Sequence, residues 1–369
     1  MSYNVGFIGY RFIAEAHANA LARLPMFFPD APPVNRHAIV GREEEALDAA
    51  ADRLGFETVT TEWEDVLDAV DVLYNLTPNA VHPEPSIAAL ERDVPVMCEK
   101  PLAATLPEAE RMAEAAERSD AAAATAFNYR FIPAIQHAKG LIEEGHLGEI
   151  RQVRGRYYQD WLVDPEAPWS WRNSEEMAGS GALGDLGSHT VDLLRYLVGD
   201  VVGEFDRVGG RLTTFVDERP VPGESGTRPV TVDDAYTAHV EFESGAVGTL
   251  EASRCADGHK NDHLIAVYGS EGAIRFSLDR LNELEVKTDG DRGFESVLVT
   301  EPEDPYYDHW WPPGHVIGWE HAFVHENYEF LTALDGDVEY HPNFQDGLAV
   351  QRVLDAIERS DRDETWVDV

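Results

Sequence analysis

Two stretches of this chain carry residues suited to proton and charge chemistry. Residues 94–102 read VPVMCEKPL. Lys100 follows an apolar run with the pattern of a buried parallel strand, and Pro101 disfavours helical backbone at Lys100. A lysine held there projects from the carboxyl end of the strand, where ligands of open α/β sheets bind. An ordinary loop lysine is the bland alternative. The chain holds only four lysines, Lys100, Lys139, Lys260 and Lys287, which weakens that alternative.

The second stretch, residues 179–198, reads GSGALGDLGSHTVDLLRYLV. Asp185, His189 and Asp192 recur at i, i+4 and i+7, which places them on one helix face. Leu186, Leu193, Leu194 and Leu197 fall on another. A solvated polar stripe would look the same. A histidine one turn from an aspartate is also an acid–base pair, because the carboxylate orients the imidazole and stabilises its protonated form. The glycines before it would let backbone approach a ligand.

Residues 6–14, GFIGYRFIA, sit where a dinucleotide fingerprint belongs. A GxGxxG run would begin at Gly9, but Arg11 stands at its second glycine and Ala14 at its third. Alanine still permits close helix–strand packing. The Arg11 guanidinium would have to meet a phosphate, or the adenosine end, in place of bare backbone. A plain strand–turn–helix is the alternative. At the end of the second strand, Gly41 replaces the acid that NAD-specific sites hold against the ribose, and Arg42 could pair with a 2′-phosphate. This leans the coenzyme toward NADP, although a surface arginine beside Glu43 and Glu45 would read alike.

These residues need elements to position them. Strand patterns over residues 3–9, 37–40, 70–76 and 94–98 alternate with helical patterns that follow Gly9 and cover 43–54, 82–91 and 107–118. Such alternation implies a parallel, doubly wound sheet. After about Phe127 the pattern changes. A helix over 132–144 leads into strands at 150–158, 231–242, 246–254, 262–269 and 273–277, with a turn at Gly245. Further helices are expected over 185–198, 319–334 and 345–360, and loops over 220–229 and 301–314. The expectation is an α/β chain: a Rossmann dinucleotide-binding domain over 1–126, then an α+β domain over 127–369 with a large, mostly antiparallel open sheet. At 369 residues, two domains are the default.

Composition narrows the function classes. The formal net charge is −40, from 69 acidic and 29 basic residues, which argues against nucleic acid as a partner. Such a charge repels itself in the compact state, and molar salt would screen it. This points to the cytoplasm of a salt-accumulating halophile, a halophilic archaeon, with an ordinary acidic protein as the alternative. Cys98 and Cys255 form no CxxC pair, so neither a disulfide framework nor a cysteine zinc site is expected. No signal peptide is apparent, and no apolar run approaches the roughly 18 residues of a membrane span.

Glu99-Lys100-Pro101, with Asp185-x-Gly187-x-His189-x-x-Asp192, resembles the Gfo/Idh/MocA oxidoreductases, which include inositol, glucose–fructose and other sugar dehydrogenases. The resemblance spans almost the whole chain and includes Thr77-Pro78-Asn79, Asn128-Tyr129-Arg130 and residues 310–315, WWPPGH. It implies that Lys100 binds the reacting hydroxyl, that His189 is the general base, and that Asp185 holds substrate or orients His189. It implies a pyrophosphate loop of Gly9, Arg11, Phe12 and Ile13, and a nicotinamide ribose flanked by Thr77, Pro78, Asn79, His82 and Glu99. The cofactor would be NAD(P), without a metal.

The aromatic and polar residues Tyr157, Gln159, Asp160, Trp161, Trp169, Trp171 and Arg172 precede the candidate catalytic helix. Aromatic faces suit sugar C–H surfaces, and polar tips suit hydroxyls. An aromatic subunit interface is the alternative. His309, Trp310, Trp311 and His315 pose the same choice, without compact metal-ligand spacing. The leading expectation is oxidation of a sugar or cyclitol hydroxyl. Cleavage of a glycoside or ether through the same hydride step and a non-catalytic nucleotide-binding sensor are alternatives. One open sheet face implies a homodimer or homotetramer.

Overall fold

The computed structural model describes residues 2–336 and 338–369. The first elements are β1 (Tyr3–Ile8), α1 (Phe12–Phe27), β2 (Val34–Val40), α2 (Glu44–Leu54), β3 (Thr58–Thr60) and β4 (Val72–Asn75). Then come α3 (Pro83–Leu90), β5 (Val96–Cys98), α4 (Leu106–Arg118), β6 (Ala123–Thr125), α5 (Pro133–Glu143) and β7 (Ile150–Tyr158). Two helices follow, α6 (Glu175–Ala178) and α7 (Ser188–Val202), then β8 (Phe205–Thr213), β9 (Glu218–Pro220), β10 (Thr227–Pro229), β11 (Ala235–Phe242) and β12 (Val247–Ser253). The chain ends through β13 (Asp262–Gly269), β14 (Ala273–Ser277), β15 (Glu283–Lys287), β16 (Glu295–Leu298), α8 (His321–Asp335), α9 (Phe344–Asp363) and β17 (Val367–Asp368).

Among the described residues, β1 to β6 form a parallel sheet in the order β3-β2-β1-β4-β5-β6. The strand order reverses between β1 and β4, the switch point at which such sheets open a ligand crevice. β4 and β5 are buried along their whole length, and β1 over its last four residues. Helices cover both faces of a parallel sheet, so its strands are continuously apolar. Leu73, Val96 and Cys98 share their core with Met112 of α4.

The second sheet runs β16-β15-β14-β13-β7-β12-β11-β8-β17. Among the described residues its strand pairs are antiparallel except β7 with β12. β9 and β10 make a separate antiparallel pair, so the expected loop over 220–229 contains part of a hairpin. Thr227–Pro229 is wholly exposed, and its residue types gave no strand pattern.

A further correction concerns the helix expected over 185–198. Residues Leu183–Gly187 form a π-helical turn, and α7 begins only at Ser188. Asp185 therefore lies on a widened turn and His189 on the regular helix that continues it. π turns inside helices concentrate at functional sites.

The chain packs as two compact units. One comprises the chain up to Phe131 with Gly318–Ala349, and the other Ile132–Ile317 with Val350–Val369. The first unit thus regains a late segment that a linear division into 1–126 and 127–369 does not contain. The reason is aromatic packing: Phe323 meets His17 edge-on at 5.2 Å, and Tyr328 meets Phe28 at 4.6 Å between ring centroids. No described helix is long and apolar enough to cross a membrane.

Candidate active site

The first unit gathers Gly9, Gly41, Thr77 and Lys100 beyond the carboxyl ends of β1, β2, β4 and β5. Gly9 follows β1 with φ +109, and a Cβ there would lie 2.5 Å from the Leu76 carbonyl oxygen. Only glycine fits, and the close turn delivers the chain into the first turn of α1. Unsatisfied N–H groups at a helix start suit a pyrophosphate, so the loop fits a dinucleotide. Arg11 is exposed and its Nη2 lies 3.0 Å from Glu43 Oε1. The Tyr10 ring fills the space over Gly41, where a Cβ would sit 2.3 Å from it. Gly41 thus accommodates Tyr10 as well as lacking an acid. Arg42 beside it is exposed. Phe12 is 66% exposed and stacks on Trp319 at 5.9 Å, whose indole N–H donates to Tyr129 Oη at 3.1 Å.

Lys100 leaves β5 through a cis peptide bond to Pro101. Its backbone N–H donates to Glu99 Oε2 at 3.2 Å, while Glu99 Oε1 lies 3.2 Å from His17 Nε2. Thr77 Oγ1 donates to Asn75 Oδ1 at 2.6 Å. His82 has no exposed surface. Its Nε2 faces the Thr77 carbonyl at 2.9 Å, and its Nδ1 faces those of Pro101 and Leu102 at 3.1 and 3.2 Å. Burial pulls its pKa down, against the carbonyls and Glu99, which favour the protonated ring. The resemblance placed His82 and Glu99 on a ribose. In this structure His82 joins the Thr77 loop to the Pro101 loop, and the two Glu99 oxygens meet His17 Nε2 and the Lys100 N–H. Thr77 and Pro78 stay partly exposed, whereas Asn79 is buried.

The second unit carries Asp185 and His189. The turn before them is built on Asp233, whose carboxylate accepts from the N–H groups of Gly181 at 2.6 Å and Leu183 at 2.9 Å. Asp233 is fully buried, and burial raises its pKa against these bonds and Arg254. Arg254, also fully buried, donates to the carbonyls of Asp233 at 2.8 Å and Arg172 at 3.1 Å. One guanidinium thus ties the turn before Asp185 to the aromatic loop. Arg172 approaches Asp185 at 4.0 Å and stacks its guanidinium 4.4 Å from the Trp171 ring centroid.

His189 is buried, with its ring 6.1 Å from that of Tyr157. Tyr157 stacks on His263, and Thr190 Oγ1 lies 3.1 Å from His263 Nε2. Tyr157 Oη and Gln159 Nε2 both donate to Asn261 Oδ1 at 2.7 Å. Trp161 Nε1 donates to Gln159 Oε1 at 2.9 Å. Tyr157, Gln159 and Trp161 therefore form one linked group, and Arg172 and Trp171 a second beside Asp185. Trp169 hydrogen-bonds the Pro229 carbonyl at 3.0 Å, and Asp160 pairs with Lys260 at 2.5 Å. Among the described residues, no cluster of three or more His, Cys, Asp or Glu could hold a metal.

Several supporting residues escape sequence reasoning: His17, Asn261, His263, Asp233 and Arg254. None lies at a motif spacing from the residue it supports. The adjacent Asp233-Asp234 pair before β11 was the one local signal available.

The chain matches the family model described as "Oxidoreductase family, NAD-binding Rossmann fold" over residues 3–127, and that of the GFO/IDH/MocA C-terminal domain over 135–275. It is 40% identical to levoglucosan dehydrogenase of Pseudarthrobacter phenanthrenivorans, across 99% of this chain and 98% of that one. It is 32% identical to D-xylose 1-dehydrogenase [NADP(+)] of Haloarcula marismortui, across 72% and 73%. A solved levoglucosan dehydrogenase in complex with NADH and levoglucosan superposes with a TM-score of 0.95 and 40% identity, covering 100% of this chain and 99% of that chain. The higher-identity relative is bacterial, so the comparison gives no support to an archaeal origin. The chain belongs to the Gfo/Idh/MocA family of NAD(P)-dependent oxidoreductases.

Proposed function

We propose that this protein oxidises a secondary hydroxyl of a small sugar or cyclitol, with an anhydrosugar such as levoglucosan the first candidate. The observation that carries the reading is the set Lys100, Asp185 and His189, present in a chain 40% identical across 99% of its length to a levoglucosan dehydrogenase. The named relatives do not favour glycoside or ether cleavage.

The chemistry follows from the side chains. A secondary alcohol is nearly unacidic, so hydride cannot leave before the proton does. His189 accepts that proton, and Asp185 on the preceding turn orients it or the substrate. The Lys100 ammonium stabilises the developing alkoxide. Tyr157, Gln159, Trp161, Trp171 and Arg172 hold the sugar. Gly9, Arg11, Phe12, Ile13, Thr77, Pro78 and Asn79 hold the coenzyme. When bound, the nicotinamide supplies the hydride acceptor.

The finer coenzyme reading is NADP. Arg42 is exposed beside Gly41, and the carboxylate next to it in sequence, Glu43, is paired with Arg11. We read the chain further as a cytoplasmic homodimer or homotetramer formed through the open face of the second sheet. Light scattering in high salt that shows a monomer would remove that assembly.

The test is a panel of levoglucosan, D-xylose, glucose and inositol with NAD+ and NADP+, in dilute buffer and in molar KCl. Reduced nicotinamide should appear with a sugar of this class, and Lys100→Met and His189→Ala should abolish it. A variant that keeps full turnover removes its residue from the mechanism.

A further inference from the structure

A buried hydrogen-bond chain runs from the late helix α8 to the backbone of Lys100. Tyr74 Oη donates to Asn327 Oδ1 at 2.8 Å. Asn327 Nδ2 donates to the Phe323 carbonyl at 2.8 Å and reaches His17 Nδ1 at 3.1 Å. His17 Nε2 meets Glu99 Oε1 at 3.2 Å, and Glu99 Oε2 accepts the Lys100 N–H at 3.2 Å. Tyr74, His17 and Asn327 are each 0% exposed.

The partners leave one arrangement of protons. The phenol donates to the amide oxygen of Asn327, so that amide turns its nitrogen toward His17. His17 Nδ1 must then accept, and its proton sits on Nε2. That N–H donates to Glu99, which leaves the other carboxylate oxygen for the Lys100 amide. Each assignment follows from the network rather than from a seen hydrogen. Rings of Tyr74 and Phe323 meet the imidazole edge-on at 5.4 and 5.2 Å. Fully satisfied buried networks of this kind fix geometry, because each unmade bond costs the desolvation of its group.

We propose that His17 and Asn327 are positioning residues for Lys100. They act through Glu99 to fix the backbone from which the lysine side chain departs. His82 holds the other side of the same loop through the Pro101 and Leu102 carbonyls. The inference rests on the reading of Lys100 as catalytic, and its first test does not depend on turnover.

The test compares His17→Phe, His17→Gln and Asn327→Leu with the parent chain. Amide hydrogen exchange at Lys100 is measured without coenzyme, because that N–H is the last link of the chain. Exchange should rise about tenfold or more in His17→Phe and Asn327→Leu, and recover in part in His17→Gln, which keeps a donor. Turnover of the sugar found active should fall about 10- to 100-fold through kcat, with coenzyme affinity unchanged. The primary deuterium isotope effect should rise as hydride transfer becomes limiting. Unchanged exchange at Lys100 in His17→Phe overturns the inference, as does a loss confined to KM. If His17→Phe fails to fold, Asn327→Leu decides by the same criteria, and Asn327→Ser decides if both fail. Lys100→Met run alongside separates the claims: full activity there removes the catalytic reading, whatever the exchange result.

Discussion

Tyr157 lies flat on His263, with ring centroids 4.4 Å apart and planes 7° apart, and the two residues are register partners across β7 and β13. The stack braces the ring that faces His189. Burial drives His263 down to about 3, so its ring is neutral across the working range. Its folded pKa lies below the ordinary imidazole value of 6.5, so its contribution to stability is full above about pH 6.5 and is lost as pH falls toward 3. His263→Phe keeps a stacking ring without the titration. Acid melts of this variant should lose less stability between pH 6.5 and 4 than those of the parent, by a few kcal/mol at about 1.4 kcal/mol per unit. Parallel acid curves would show that His263 does not control acid lability.

The turn that carries Asp185 offers a harsher test. A Cβ on Gly181 would lie 1.7 Å from the Asp233 carbonyl oxygen and 2.6 Å from Arg254 Nη2. The backbone cannot yield there without moving the carboxylate that caps the turn. Gly181→Ala should lower stability by about 2–3 kcal/mol and cut kcat through displacement of Asp185. Thermal melts and steady-state kinetics check both. A variant with parent-like melting and kcat would show that the turn tolerates rearrangement.

Much of the first sheet was legible because its strands announce themselves as apolar runs ending in turn residues. Lys100 and the Asp185–His189 pair were legible because their signals are local. The π turn was not, since i, i+4 spacing is the same whether or not the helix widens at Gly187. β6 escaped notice because it is only three residues long and two of them, Ala123 and Ala124, carry little strand preference. β8 is broken in pattern by Gly209 and Gly210, which are small because Trp366 and Ile357 press on them. His17 and Asn327 are 310 positions apart, so no local pattern links them. Gly41 was read as a missing acid, whereas the Tyr10 ring that occupies its space belongs to another loop.

Glu358 near the end of α9 behaves in the opposite sense to His263. Burial, with Asp233, Asp355 and Glu175 nearby, pushes its carboxyl up to about 7, against a lowering hydrogen bond with Ser180. The folded state therefore holds this proton more tightly than the unfolded chain. Between the ordinary glutamate value of 4.5 and about 7, stability from this group falls as pH rises. Glu358→Gln removes the charge and should stabilise the protein above pH 7 by about 1–3 kcal/mol, with little gain near pH 4.5. Denaturant titrations at the two pH values measure this. An equal effect at both would dissociate the gain from ionisation.

Tyr10 and Gly41 constrain coenzyme engineering. Placing an aspartate at position 41 to recruit the ribose hydroxyls forces its Cβ to within 2.3 Å of the Tyr10 ring. Gly41→Asp alone should weaken both coenzymes, and the double variant with Tyr10→Ala should regain NAD+. Arg42→Gln should weaken NADP+ by roughly tenfold, a charge-assisted contact of about 1.5 kcal/mol, and leave NAD+ unaffected. Fluorescence titration with the reduced coenzymes separates the cases. Equal loss of both on Arg42→Gln would remove Arg42 from 2′-phosphate recognition.

The acidic surface makes a last prediction about salt. Glu110, Glu114 and Glu117 share the exposed side of α4, and Glu43, Glu44 and Glu45 crowd the start of α2. Like charges close together on a helix repel, and the contacts of Arg118 with Glu114 at 3.6 Å and of Arg11 with Glu43 at 3.0 Å offset only part of this. Summed over a net charge of −40, this repulsion acts against the compact chain in dilute buffer. Raising ionic strength from about 0.1 to 1 M shortens the screening length from about 10 to 3 Å. That is less than the spacing between helical neighbours one turn apart, about 5–6 Å between Cβ atoms, so the term should largely vanish. Melting temperature should therefore climb steeply between dilute buffer and molar KCl. Potassium chloride separates this from preferential exclusion, because sucrose, which does not screen charge, should give a much smaller rise. Equal melting in both salt conditions would remove salt adaptation as the reason for the acidic surface.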